Sequence, residues 1–200
     1  MKRLLLVTVA LALPLAAMAQ SNDSMSNGTA ASGMSNTASG SANDASPAGT
    51  SATGSATMSK LSLQDTHFIN TAAIAGLAEV SDGKLATAKG DASVKSIGDK
   101  MVADHTAVNN QLTSLAKGKG VTPPMTVDSK HAAIHAQLTK LSGAGFDKKY
   151  LSTELTGHEM TIAAFKTEAS TGSDPQLKSF ASATLPQLEN HLAMIKAAMK

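Results

Sequence analysis

The 200-residue chain has no cysteine and no tryptophan, and only one tyrosine and four phenylalanines. Without thiols there is no disulfide, no thiolate nucleophile and no sulfur-based zinc site, so stability has to come from a packed core. Arginine is almost absent: Arg3 is the single one. The planar guanidinium that favours phosphate and guanine recognition is therefore missing from most of the chain. So are the aromatic rings on which bases stack, and together these absences argue against nucleic-acid binding. After residue 20 no apolar run approaches the roughly 20 residues that a membrane-spanning helix needs.

The first residues are different. Lys2 and Arg3 precede the apolar run Leu4 to Leu13, Pro14 ends it, and Ala17-Met18-Ala19 supplies small residues. This is the pattern of a secretory leader over residues 1–19, cut between Ala19 and Gln20. Of 17 Lys+Arg and 15 Asp+Glu, cleavage removes Lys2 and Arg3 and leaves 15 against 15. The expected location is outside the cytoplasm, periplasmic or outer-membrane-associated, with no transmembrane span after cleavage.

Residues 20–59 hold no Leu, Ile, Val, Phe, Tyr or Trp. A Ser/Ala/Gly/Asn-rich stretch of this kind cannot bury enough apolar surface to offset its ordering entropy, and it reads as a disordered linker. The Met-Ser-Asn repeat at Met25 and Met34 reads as low-complexity sequence, since a soft metal site needs several clustered sulfur ligands. From residue 60 to 200 the composition becomes that of one folded domain.

Within that domain the apolar spacing is helical throughout. A first helix is expected over 63–89, capped by Ser62 and closed by Gly90. A second spans about 92–117, capped by Asp91 and stopped by Gly118 and Gly120. A short helix follows Asp128, over about 129–141. A third long helix covers about 146–169, and a fourth begins at Pro175 behind Asp174. Four long helices with short links inside each pair, and one long middle connection carrying a short extra helix, predict an all-α, ferritin-like four-helix bundle. The first helix is small and apolar on every side around Ala72-Ala73-Ile74-Ala75-Gly76-Leu77-Ala78. That fits burial on several faces, or close contact with a protein partner or a second copy in a homo-oligomer.

Each apolar stripe contains a polar residue near its middle. On the third long helix Leu151, Leu155, His158, Ile162 and Phe165 share a face. On the fourth, His191 falls between Leu188 and Ile195. On the second, His105 follows Met101, and on the first Glu79 continues the Phe68, Ala72, Ala75 face. Antiparallel helices of similar length share their midpoints, so Glu79, His105, His158 and His191 are expected at one level. Two readings fit. Imidazoles with one carboxylate suit zinc, copper, iron or nickel; equally, buried histidines hydrogen-bond one another, a Glu, or Asp104 and Thr184. A di-iron site is disfavoured because Val102, Leu155 and Leu188 stand where Glu-x-x-His pairs need Glu. His131 and His135 lie one turn apart but lack the glutamate of a zinc-protease helix. No nucleophile elbow and no phosphate loop occurs, so no catalytic residue is assigned. Pro186, one turn before His191, is expected to kink the last helix, either freeing a backbone carbonyl to which a buried histidine donates or opening space for a ligand.

The residues Phe68 with Ala72, Ala78-Glu79-Val80, Lys84-Leu85-Ala86, Met101-Val102-Ala103-Asp104-His105-Thr106, Phe146-Asp147-Lys148-Lys149-Tyr150, His158, Leu185-Pro186 and His191-Leu192 together resemble a bacterial family of unknown function. It is often labelled "predicted outer membrane protein" and is grouped with ferritin-like folds. The resemblance covers about residues 61–197. It implies a secreted four-helix bundle and no established reaction. The label sits awkwardly with the sequence, because an outer-membrane barrel needs alternating strands and none is expected here. The expectation is an exported, non-enzymatic envelope, stress-related or interaction protein. The alternative is a metal-binding bundle holding zinc, iron or copper on Glu79, His105, His158 and His191.

Overall fold

Helix starts are set by side chains that accept from otherwise unpaired backbone N–H groups. Ser62 and Asp65 form a reciprocal capping box at the first helix, and Asp91, Asp128 and Asp174 cap three others. The computed structural model describes residues 61–200, and among these residues it contains five α-helices. They are α1 (Leu63–Lys89), α2 (Ala92–Gly118), α3 (Ser129–Thr139), α4 (Gly143–Thr171) and α5 (Pro175–Ala198). The expected leader, the linker and the Met25 and Met34 repeat lie outside the described residues. Helix α4 starts three residues earlier than its pattern suggests. Gly143, at φ 53°, takes the left-handed turn that lets the chain re-enter a helix directly after α3.

The path of the chain follows from its end-to-end contacts. Near the start of α1, Asp65 accepts from the Ser173 and Asp174 backbone N–H groups, and Gln64 donates to Thr171. The end of α4 therefore sits at the beginning of α1. Lys119, at the end of α2, pairs with Asp174 at 2.7 Å, which brings the start of α5 to the same end. At the other end the Asp91 N–H donates to Asp147, and Lys89 donates to the Thr139 and Leu141 carbonyls. Thus α1 and α5 run one way and α2 and α4 the other. The segment between α2 and α4, including α3, crosses the length of the bundle. Helix α1 packs against α2, α4 and α3, and α5 against α4 and α2.

The small residues of α1 serve its approach to α2. A Cβ on Gly98 would meet the Gly83 carbonyl oxygen at 2.7 Å and the Thr87 nitrogen at 2.8 Å. Backbone faces backbone there, and only glycine fits. Nearby, Gly76 makes room for the Asn109 side chain. Part of the small-residue surface of α1 is thus covered by a neighbouring helix of the same chain.

Two apolar layers fill the ends of the bundle. One contains Phe68, Ile69, Leu112, Phe165, Leu177 and Leu188, with Phe68 and Phe165 edge to face at 4.9 Å. The other contains Val94, Ile97, Met101, Phe146, Tyr150 and Ile195. Between them lies a polar layer. Among the described residues no helix is long and apolar enough to cross a membrane.

Candidate metal centre

The middle layer is built by α2, α4 and α5, each of which turns one histidine inward. His105, His158 and His191 are 4%, 1% and 1% exposed. Their ring centroids lie 5.6 Å (His105–His158), 5.3 Å (His105–His191) and 5.5 Å (His158–His191) apart, a nearly equilateral triangle. One ring nitrogen from each comes within 4.8 Å of the other two.

The tautomers follow from the neighbours. His158 Nδ1 lies 3.0 Å from the Glu154 backbone oxygen, which can only accept, so Nδ1 carries the proton and donates. His191 Nε2 lies 2.7 Å from Asp104 Oδ2. Burial raises the Asp104 carboxyl, but hydrogen bonds from Lys100, His191 and Gln187 outweigh it and bring the pKa down to about 2. Asp104 is thus ionised and accepts from His191 Nε2. The opposite nitrogens, His158 Nε2 and His191 Nδ1, are left with lone pairs. Together with His105 Nε2 they are buried without a hydrogen-bond partner among the described residues. Burial, helped by the two neighbouring rings and opposed by the Glu79 charge, holds His105 down to about 4, so it is neutral at physiological pH. Burial also lowers His191, against the pull of Asp104.

Three buried imidazoles on three helices, with one ring nitrogen of each within 4.8 Å of the other two, make a donor set for a zinc, copper or iron ion. A carboxylate behind one ring and a backbone carbonyl behind another fix ring orientation, as partners of metal-bound histidines do.

Glu79 shares the level of the histidines, as its spacing suggested, and its Oε1 lies 3.7 Å from His158 Nδ1, the nitrogen that donates to the Glu154 carbonyl. Its companion is Glu154, whose Oε2 lies 3.6 Å from the same nitrogen. Glu79, Glu154 and His158 form a second convergent group that shares His158 with the first. Burial, the Glu79 charge and a hydrogen bond to Glu79 push Glu154 far up. Burial acts the same way on Glu79, but the Glu154 hydrogen bond and the three histidines bring it down. The two carboxyls thus act as a pair that shares one proton and one negative charge.

Glu154, four residues before His158 and so spaced to pair with it, is 2% exposed and belongs to the same layer. Tyr150, Glu154 and His158 step by four along one face of α4, and that face, rather than the one through half-buried Leu155, leads inward. The Tyr150 hydroxyl is buried without a partner among the described residues. Desolvation, with the charges of Glu154, Glu79 and Asp82, raises it and keeps it protonated.

Other expectations separate. His131 bonds to Asp128, and His135 to Asp82 at 2.7 Å, so the two α3 histidines are held by different carboxylates. His191 donates to Asp104 instead of the carbonyl freed by Pro186, because an ionised oxygen is the stronger acceptor. Helix α5 continues unbroken through that proline. Thr184 bonds the Phe180 carbonyl of its own helix.

Comparison with known proteins bears on the fold. A fragment of a DUF305 protein from Deinococcus radiodurans is 12% identical, covers 70% of this chain and 97% of that one, and superposes with a TM-score of 0.62. A conserved hypothetical protein from Mycobacterium tuberculosis is 13% identical, with 67% and 96% covered and a TM-score of 0.54. No curated protein matches the chain. Residues 50–198 match the family model described as a domain of unknown function, DUF4142, and the chain belongs to that family.

Proposed function

We propose that this domain binds one first-row transition-metal ion, such as zinc, copper or iron, through His105 Nε2, His158 Nε2 and His191 Nδ1. The observation that carries the reading is the set of three buried ring nitrogens without partners. A hydrogen-bond network would leave each nitrogen with a donor or an acceptor. Here one ring nitrogen of each histidine comes within 4.8 Å of the other two, and an unmet buried polar group costs about 1–3 kcal/mol unless something binds there. Neutrality of His105 and the fixed tautomers of the other two favour a cation at that point.

The role proposed is binding, in an exported helical-bundle protein of the cell envelope, periplasmic or outer-membrane-associated. The leader pattern of residues 1–19 supports export. The single long crossover supports kinship with ferritin-like bundles, while the donor set is mononuclear and histidine-rich.

The test is metal content of the untagged mature protein after incubation with zinc, copper or iron and dialysis. The expected result is close to one equivalent of one metal, lost in His105→Ala, His158→Ala and His191→Ala. Retention of no metal by the wild type, with the variants merely less stable, would leave the histidines as a structural layer and end this reading.

A further inference from the structure

If the three histidines hold an ion, their geometry says what else reaches it. Imidazoles from α2, α4 and α5 approach from three sides of the bundle, and the fourth side belongs to α1, which contributes no histidine to the triad. On that side lies an interior cavity of about 10 Å³ bordered by His105, His158, Glu79, Asn109 and Thr161. This is about the room one water molecule needs. The site has polar partners to offer such a water: Glu79 Oε2 is buried with no partner among the described residues.

The cavity is separated from the outside by a thin wall. A groove of about 500 Å³ runs between α1 and α4 beneath the start of α3. Its inner end is formed by Ala72, Ala75, Glu79, Thr161 and Phe165, all of which also border the interior cavity. Ala75 is half-buried and presents only a methyl group between the two spaces. The outer walls are largely apolar, with Ile74, Ile134 and Met160 among them. A volume of this size lies in the range of small-molecule sites.

We propose that the metal centre is coordinatively open: its fourth position faces α1, carries an exchangeable water whose hydrogen bond Glu79 accepts, and admits small lone-pair donors that enter along the α1–α4 groove past Ala75. The proposal rests on the three-histidine reading. It assigns Glu79 a positioning role beside the ion and replaces the direct ligand role that spacing suggested. A closed structural site would have four protein donors, whereas Glu79, the fourth candidate, groups with Glu154 and His158 and not with the three-histidine set.

The experiment uses the cobalt(II)-loaded protein, whose visible absorption reports coordination, titrated with azide. An open site gives a saturable change in the wild-type spectrum at one equivalent of cobalt. Glu79→Gln should keep the cobalt and bind azide several-fold more tightly, because a like charge beside the anion is gone. Ala75→Leu should keep the cobalt and weaken or slow azide binding at least tenfold by filling the passage. An azide response that appears only in Glu79→Gln would make Glu79 the fourth ligand and overturn the proposal. Cobalt bound with no azide response in wild type or Glu79→Gln would mean a closed centre and also overturn it, leaving the metal-binding reading intact. An Ala75→Leu protein that binds azide as wild type does would overturn the route. Failure to bind cobalt, zinc, copper or iron at all would remove the three-histidine reading itself.

Discussion

Asp65 and the middle layer of the bundle both bury carboxyl groups, and the two differ in how those groups are partnered. At the end where α1 begins, Asp65 is 1% exposed but fully engaged. It accepts from the Ser62 backbone and hydroxyl and from the Ser173 and Asp174 backbone N–H groups. Burial raises its carboxyl, and these bonds more than reverse the effect, so the net shift is downward. The Ser62 bonds cap α1, the Ser173 and Asp174 bonds tie the end of α4 to its start, and the acid is a clamp. In the middle layer, the acids and histidines leave Glu79 Oε2, Glu154 Oε2, His105 Nε2, His158 Nε2 and His191 Nδ1 without partners. Satisfied buried polar groups hold a fold together. Unsatisfied ones that converge from different helices are what the proposed metal site rests on.

This contrast is open to direct attack. The largest effect is expected from His158→Ala, the ring shared by both convergent groups. Metal affinity should fall more than about 100-fold, because two protein ligands rarely retain an ion; competition with a chelating dye measures it. Asp104→Asn keeps the shape but weakens the acceptor behind His191. A loss of about 10–100-fold in affinity is expected, with the helical signal unchanged. An Asp104→Asn protein as tight as wild type would detach Asp104 from the centre.

At the clamp, Asp65→Ala should cost about 1–3 kcal/mol in urea unfolding by stranding backbone donors, without altering metal stoichiometry. Metal loss in that variant would erase the distinction between the two regions. The smallest effect concerns Glu168, beside Asp65, which is 1% exposed. Burial, with the Asp65 hydrogen bond and charge adding to it, pushes its pKa up to about 7. The folded state then binds a proton more tightly than the unfolded chain. This group's contribution is most favourable below the ordinary glutamate range and is lost as pH rises through about 7. Glu168→Gln should therefore flatten the fall in stability between about pH 5 and 7.5 and gain about 1–2 kcal/mol at pH 8, with little change at pH 5. An unchanged pH profile would show that Glu168 ionises freely.

Much of the bundle was legible residue by residue. Ser62, Asp91, Asp128 and Asp174 cap the helices their positions announced, because capping is a local bond between a side chain and N–H groups two or three residues on. His105, His158 and His191 were readable as inward-facing, since a four-three step fixes which residues share a face. The start of α4 was less legible, because Gly143 both ends the crossover and turns the new helix, and its φ of 53° has no signature beyond glycine itself. The spacing of Glu154 and His158 allowed a pair but did not give its depth, because two faces of α4 fit the apolar pattern, one through Leu151 and Leu155 and one through Tyr150 and Glu154. Only the position of α1 decides which one is buried.

The sequence by itself determined the helices, their caps, the one long crossover and the level at which the polar residues meet, since each depends on spacing along one chain segment. Tertiary structure alone decided which nitrogen of each histidine stays unpaired, that Glu79 pairs with Glu154 behind His158, and that Asp104 orients His191. Those outcomes depend on the rotation of one helix against another, and a side chain one residue away on a neighbouring helix changes every hydrogen bond in the layer.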